Sequence, residues 1–123
     1  MAIPMPRTRR TLDRHRVNDG LGARVVFRWP DRKGIPVEAK LRDVSYAGLS
    51  LSLSEALPGL EVGDCIKGLS VDLDGTRIHG ELLVMHVTPS SKTGLVCGGL
   101  FYPAGDADVL ALRRVVRRLE PRD

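Results

Sequence analysis

PVEAKLRDVSYAGLSLSLS, running from Pro36 to Ser54, is the stretch on which the architecture turns. Val37, Ala39 and Leu41 alternate with Glu38, Lys40 and Arg42, the period of two of a half-buried strand, and Asp43 continues the apolar side of that alternation. After the turn formers Tyr46, Ala47 and Gly48, the segment LSLSLS repeats leucine and serine strictly, which predicts a second strand with leucines inward and serines outward. Two successive period-two runs joined by a tight turn specify an antiparallel hairpin.

The same grammar extends in both directions. Upstream, ARVVFRW (Ala23 to Trp29) is β-branched and aromatic, stops at Pro30 and is followed by the turn-forming PDRKG. Downstream, Glu55 to Gly63 reads as a loop, Ile66 to Leu73 as a shorter strand, and Asp74-Gly75 as a hairpin turn. Arg77 to Thr88 then places Ile78, Gly80, Leu82, Val84, His86 and Thr88 on one face, and Leu95 to Tyr102 follows the turn PSSKTG. In the last segment the period changes. Val109, Leu112, Val115, Val116 and Leu119 recur at helical spacing, with Asp106 and Asp108 early and Arg113, Arg114, Arg117 and Arg118 late, as suits a helix dipole. The expectation is an all-β chain, a small six-stranded antiparallel β-barrel with an irregular basic N-terminal arm (residues 1–20) and a C-terminal amphipathic helix, the barrel and helix occupying residues 21–123 as a single domain.

Composition narrows the function classes. At 123 residues and 42% hydrophobic, the chain supports one core. Cys65 and Cys97 are far apart and belong to no CxxC pattern, so they read as small buried hydrophobes rather than metal ligands or a disulfide framework. His15, His79 and His86 are scattered without carboxylates or cysteines at ligand spacing, and Ser45 lacks a GxSxG setting or a partnered base, so neither a metal site nor catalysis is expected. No signal peptide or membrane span is legible, which points to a cytoplasmic location without membrane insertion. Trp29 is best read as packing on the barrel. Aromatics at 4% are too few for a stacking platform, so no nucleic-acid polymer is expected as a partner.

Charge is unevenly placed. Arg7, Arg9, Arg10, Arg14 and Arg16 face a single acid, Asp13, within residues 1–16, which accounts for the whole formal net charge of +4. The remaining chain carries fourteen basic and fourteen acidic residues and is neutral. A cationic arm on a neutral body suits a small polyanionic ligand, whereas a duplex binder spreads its basic patch over the folded surface. The helix arginines read as a solvated polar face.

Two constellations stand out: Arg10-Thr-Leu-Asp-Arg14, an RxxxR spacing, and Asp43-Val-Ser-Tyr-Ala-Gly48, a DxSxxG between two strong strands. With the separation of 29 positions from Arg14 to Asp43, the later GGLFYP and the terminal helix, the chain from Arg9 to about Leu119 resembles the PilZ family. That resemblance implies binding of cyclic di-GMP without any cofactor. It assigns phosphates and guanine faces to Arg10 and Arg14, and a guanine edge to the turn with Asp43 and Ser45. It also implies a receptor that signals to a protein effector of motility, pilus or exopolysaccharide machinery, and no enzyme. A PilZ-like adaptor acting through protein contacts alone is the alternative.

The chemistry of these residues agrees. A guanidinium pairs two phosphate oxygens and lies flat on a purine, and a carboxylate accepts from the N1–H and N2–H of guanine. Gly48 permits either a positive φ or a close ligand approach. Arg9 is a third ligand candidate or a solvated arm residue. Three clustered arginines also raise the expectation of an intercalated ligand pair.

Overall fold

A computed structural model of the chain describes residues 15–17, 22–90 and 94–120. In chain order the elements are β1 (His15–Arg16), β2 (Arg24–Trp29), β3 (Ile35–Val44), β4 (Gly48–Leu53), β5 (Cys65–Leu73), β6 (Thr76–Ser90), β7 (Gly94–Pro103) and α1 (Asp106–Leu119). The strands β3, β2, β5, β6, β7 and β4 are hydrogen-bonded in that order, and β4 pairs back onto β3. Every pairing is antiparallel, so six strands close into the expected barrel and none of the six leaves a full-length free edge. The turn between β5 and β6 uses Asp74 (φ 50°) and Gly75 (φ 80°), the left-handed pair that a two-residue hairpin of this twist requires.

The core is what the alternation selects: Val25 and Phe27 from β2, Leu49, Leu51 and Leu53 from β4, and Leu69, Val71 and Leu73 from β5 are all buried. From α1, Leu112, Val115 and Val116 join this cluster, while the helix arginines are exposed as expected. Asp108 fixes the helix start by accepting a 2.7 Å hydrogen bond from the His79 backbone N–H. Arg118 meets Asp74 at 3.5 Å on the surface, a pair that contributes at most about 1 kcal/mol. Trp29 is buried and donates from Nε1 to the Pro58 carbonyl at 2.9 Å, so its role is packing.

Several expectations need correction. Part of the arm read as irregular is a strand: His15 and Arg16 pair with Val44 and Asp43 of β3. This pairing continues the β3 edge that β2 occupies only as far as Lys40, and it is closed by Val17, which is buried and bonds to the Arg42 carbonyl at 2.8 Å. Edge pairing through the backbone needs no apolar period, which is why the sequence does not announce it. The face assignments of two strands also change. The β3–β4 register shifts between Leu41 and Asp43, so Val44 rather than Asp43 enters the core. The β6–β7 register shifts between Val84 and His86, so Val87 packs on the core and Thr88 is exposed. Ser50 is buried although it sits on the outward side of β4. Cys97 is buried as expected, but Cys65 is exposed and its thiol donates to Glu81 at 2.8 Å.

Candidate ligand-binding site

The DxSxxG segment is the connection between β3 and β4, and its conformation is set by Ser45. Ser45 is buried, and its Oγ accepts hydrogen bonds from the backbone N–H groups of Ala47 at 3.2 Å and Gly48 at 3.0 Å. The Ser45 N–H donates in turn to the Gly48 carbonyl at 2.9 Å, closing the hairpin. A short hydroxyl folded back onto its own backbone is the usual reason for serine in such a turn. The Ala47 carbonyl accepts from the Phe101 N–H at 2.9 Å, and the Tyr46 hydroxyl donates to Glu120 at 3.3 Å, so the turn is tied both to β7 and to the residue that follows α1.

Gly48 is a glycine for a reason other than a left-handed backbone. A Cβ there would collide with the backbone carbonyl of Gly99 on the paired strand β7. The space that a side chain would occupy is used by β7, and of the two readings open for this residue the positive φ is not adopted.

Asp43 faces outward because the bulge turns Val44 inward. It is half-buried, with Oδ1 shielded from solvent. On one side it stands opposite Arg16 of β1 and on the other opposite Ser50 of β4. Asp43, Ser45 and Gly48 are thus brought together, whereas Arg9, Arg10 and Arg14 lie outside the described residues. Arg16, exposed and directly across from Asp43, is a charged neighbour that motif spacing does not single out. Only the strand register reveals it.

Among the described residues, no group of three or more His, Cys, Asp or Glu is placed to hold a metal ion. Burial pushes the Cys97 thiol up to about 11, and the hydrogen bond to Glu81, with burial and that carboxylate's charge, raises Cys65, so both shifts favour the protonated thiol. No helix among them is long and apolar enough to cross a membrane.

No protein-family model matches the chain. Over 64 residues, 51% of this chain, the sequence is 39% identical to the flagellar brake protein YcgR of Methylibium petroleiphilum. In three dimensions the chain matches the PilZ domain of Escherichia coli YcgR, solved with c-di-GMP, with a TM-score of 0.70 over 87% of this chain and 88% of that one, at 14% identity. The chain has a PilZ fold. A second PilZ-fold match is the c-di-GMP complex of MrkH from K. pneumonia, with a TM-score of 0.72 at 17% identity over 87% of this chain and 50% of that one. MrkH is described as a c-di-GMP-dependent transcription regulatory factor. The YcgR match covers 28% of the curated relative and the MrkH match half of its chain, so this PilZ fold corresponds to one part of those longer proteins.

Proposed function

We propose that this PilZ fold is a receptor for cyclic di-GMP, held between Arg10 and Arg14 of the arm, with Arg9 as a third contributor, and the turn bearing Asp43, Ser45 and Gly48. The observation that carries the proposal is the pairing of β1 with the end of β3. It sets Arg16 opposite Asp43, and Arg14 is one peptide bond upstream of His15, whose partner is Val44. The RxxxR segment therefore joins the barrel beside the DxSxxG turn. Similarity to YcgR and to the c-di-GMP complexes supports the same ligand.

In this reading Asp43, outward and partly shielded, accepts from the N1–H and N2–H of one guanine. Ser45 spends its lone pairs on the turn, and its hydroxyl donates only weakly to the Gly48 carbonyl oxygen, at an Oγ–O distance of 3.5 Å, a contact that a ligand oxygen can replace. Arg10 and Arg14 supply charge-assisted pairs to phosphates and planar faces to bases. Titration calorimetry with cyclic di-GMP tests the proposal. Binding is expected, with cyclic di-AMP weaker by about 100-fold or more because adenine presents no donor pair to Asp43. Absence of binding heat with cyclic di-GMP removes the receptor reading, and equal affinity for the adenine analogue removes the role of Asp43. The same titration returns two ligands per chain if three arginines engage an intercalated pair.

Signalling follows from arm closure. Five arginines within sixteen residues repel one another and gain little from apolar burial, so a ligand with two phosphates supplies what ordering the arm costs. Closure beside a turn tied to the end of α1 and to β7 creates a composite surface that a protein effector reads. Trypsin is expected to cut after Arg7 to Arg14 quickly in the free protein and slowly at saturating cyclic di-GMP. Equal rates would exclude closure as the signal.

A further inference from the structure

Helix α1 gives one face to the barrel and turns the other to solvent. Leu112, Val115 and Val116 are buried, and the helical repeat of about 3.6 residues per turn points Leu110 to the side opposite them. Leu110 is accordingly 59% exposed, an apolar side chain at the middle of the solvent face. Asp106 lies about one turn before it and Arg114 about one turn after, both exposed and each about 6 Å away along the axis. Arg113 and Arg117 flank the same stripe.

The charges of this stripe find little to do within one chain. Arg118 reaches Asp74 at 3.5 Å, but Asp106, Arg113, Arg114 and Arg117 make no ion pair among the described residues. Arg113 with Arg117, and Arg114 with Arg118, are like charges four residues apart, a spacing that disfavours a helix. The helix dipole accounts for an early Asp106 and late arginines. It accounts neither for the doubled like charges nor for the exposed leucine between the two signs.

From Asp106 through Leu110 to Arg114 the stripe is negative, apolar and positive in equal steps. A pattern of that kind is complementary to its own reverse. Two copies of α1 laid antiparallel about a two-fold axis at Leu110 oppose leucine to leucine, and Asp106 of each copy to Arg114 of the other. Parallel packing instead sets the arginines of one copy on those of its partner. A uniformly anionic partner, whether polymer or lipid surface, matches the arginines but meets Asp106 in the same stripe.

We infer that the outer face of α1 is a self-association surface whose occupant is a second copy of this chain, docked antiparallel. Leu110 is its apolar centre, and two Asp106–Arg114 pairs bracket that centre and fix the direction of the partner helix. This surface is independent of the nucleotide reading above. A single helix of 14 residues from each copy is a small contact, below the roughly 1,200 Å² at which stable interfaces begin, so the dimer is weak and forms with rising concentration. Tyr46 of the DxSxxG turn is hydrogen-bonded to Glu120 just past α1, so the dimer sets its two turns at opposite ends of the helix pair.

Sedimentation equilibrium of the full chain without ligand tests this. The weight-average mass is expected to climb towards twice that of the monomer as the concentration approaches about 1 mM. Asp106→Arg and Arg114→Asp each oppose like charges twice across the axis, and each variant alone is expected to remain monomeric over the same range. Both residues are exposed, so the barrel is expected to melt as the parent does. An equimolar mixture of the two variants is expected to recover the dimer, because their heterodimer restores two opposite-charge pairs. A parent that stays monomeric throughout overturns the proposal. So does either variant that associates as the parent does, or a mixture that stays monomeric where the parent dimerises.

Discussion

Replacing Arg14 by alanine is expected to weaken cyclic di-GMP binding by about 2–4 kcal/mol, roughly 30- to 1,000-fold, and to leave the melting temperature of the ligand-free barrel unchanged. Arg14 immediately precedes in sequence the strand that pairs with Val44 and Asp43, which is the ground for assigning it a ligand phosphate in the proposed receptor. A charge-assisted pair to a phosphate in a partly dehydrated site is lost outright on truncation. Arg10, one RxxxR spacing earlier, is expected to behave in the same way. Arg14→Lys should recover only part of the loss, because an ammonium offers a point charge without the planar fork. The barrel should be indifferent, since the described core begins at Val17 and is otherwise built from β2 to β7 and α1. Calorimetry paired with thermal unfolding checks both halves, and a coincident loss of folding would make the arginine structural.

Gly48→Ala is expected to act in the opposite sense, lowering the stability of the ligand-free protein by about 3 kcal/mol. Its new Cβ would meet the Gly99 carbonyl, which is backbone and cannot swing aside. Nor can β7 retreat, because a Cβ at Gly99 would itself collide with the Leu83 carbonyl of β6, a measure of how closely the strands are pressed on both sides. Relief therefore requires the hairpin of β3 and β4 to shift against the rest of the barrel. Urea unfolding of the variant without ligand is the measurement. An unchanged midpoint together with lost cyclic di-GMP binding would assign Gly48 to ligand approach instead.

Local pattern carried much of this structure. The leucines of β4, the Asp74-Gly75 turn and the buried stripe of α1 are all decided by neighbours within a few residues, and period two or 3.6 reports them directly. What escaped was whatever depends on a partner strand. Asp43 continues the apolar side of its own alternation, and only the extra residue opposite β4 shows that it faces outward. Strict alternation likewise puts His86 on the core face, and the β6 bulge reverses it. The burial of Ser50 and the strand at His15–Arg16 likewise have no local signature. The DxSxxG turn was legible because Ser45, Ala47 and Gly48 bond to one another. Arg16 is not, since it lies far from Asp43 in sequence and meets it only through register.

The short clasp of β1 on β3 has a consequence for affinity. Arg10 is five residues from His15, so its Cα can stand at most about 18 Å from the clasp however the intervening chain is arranged. In the receptor reading proposed above, a nucleotide resting on the barrel near Asp43 would meet Arg10 and Arg14 as an intramolecular encounter, at an effective concentration in the millimolar range rather than that of the protein in solution. In that reading the two backbone-paired residues and the buried Val17 serve as a leash, and shortening or loosening it would tune the response threshold without altering any atom assigned to the ligand.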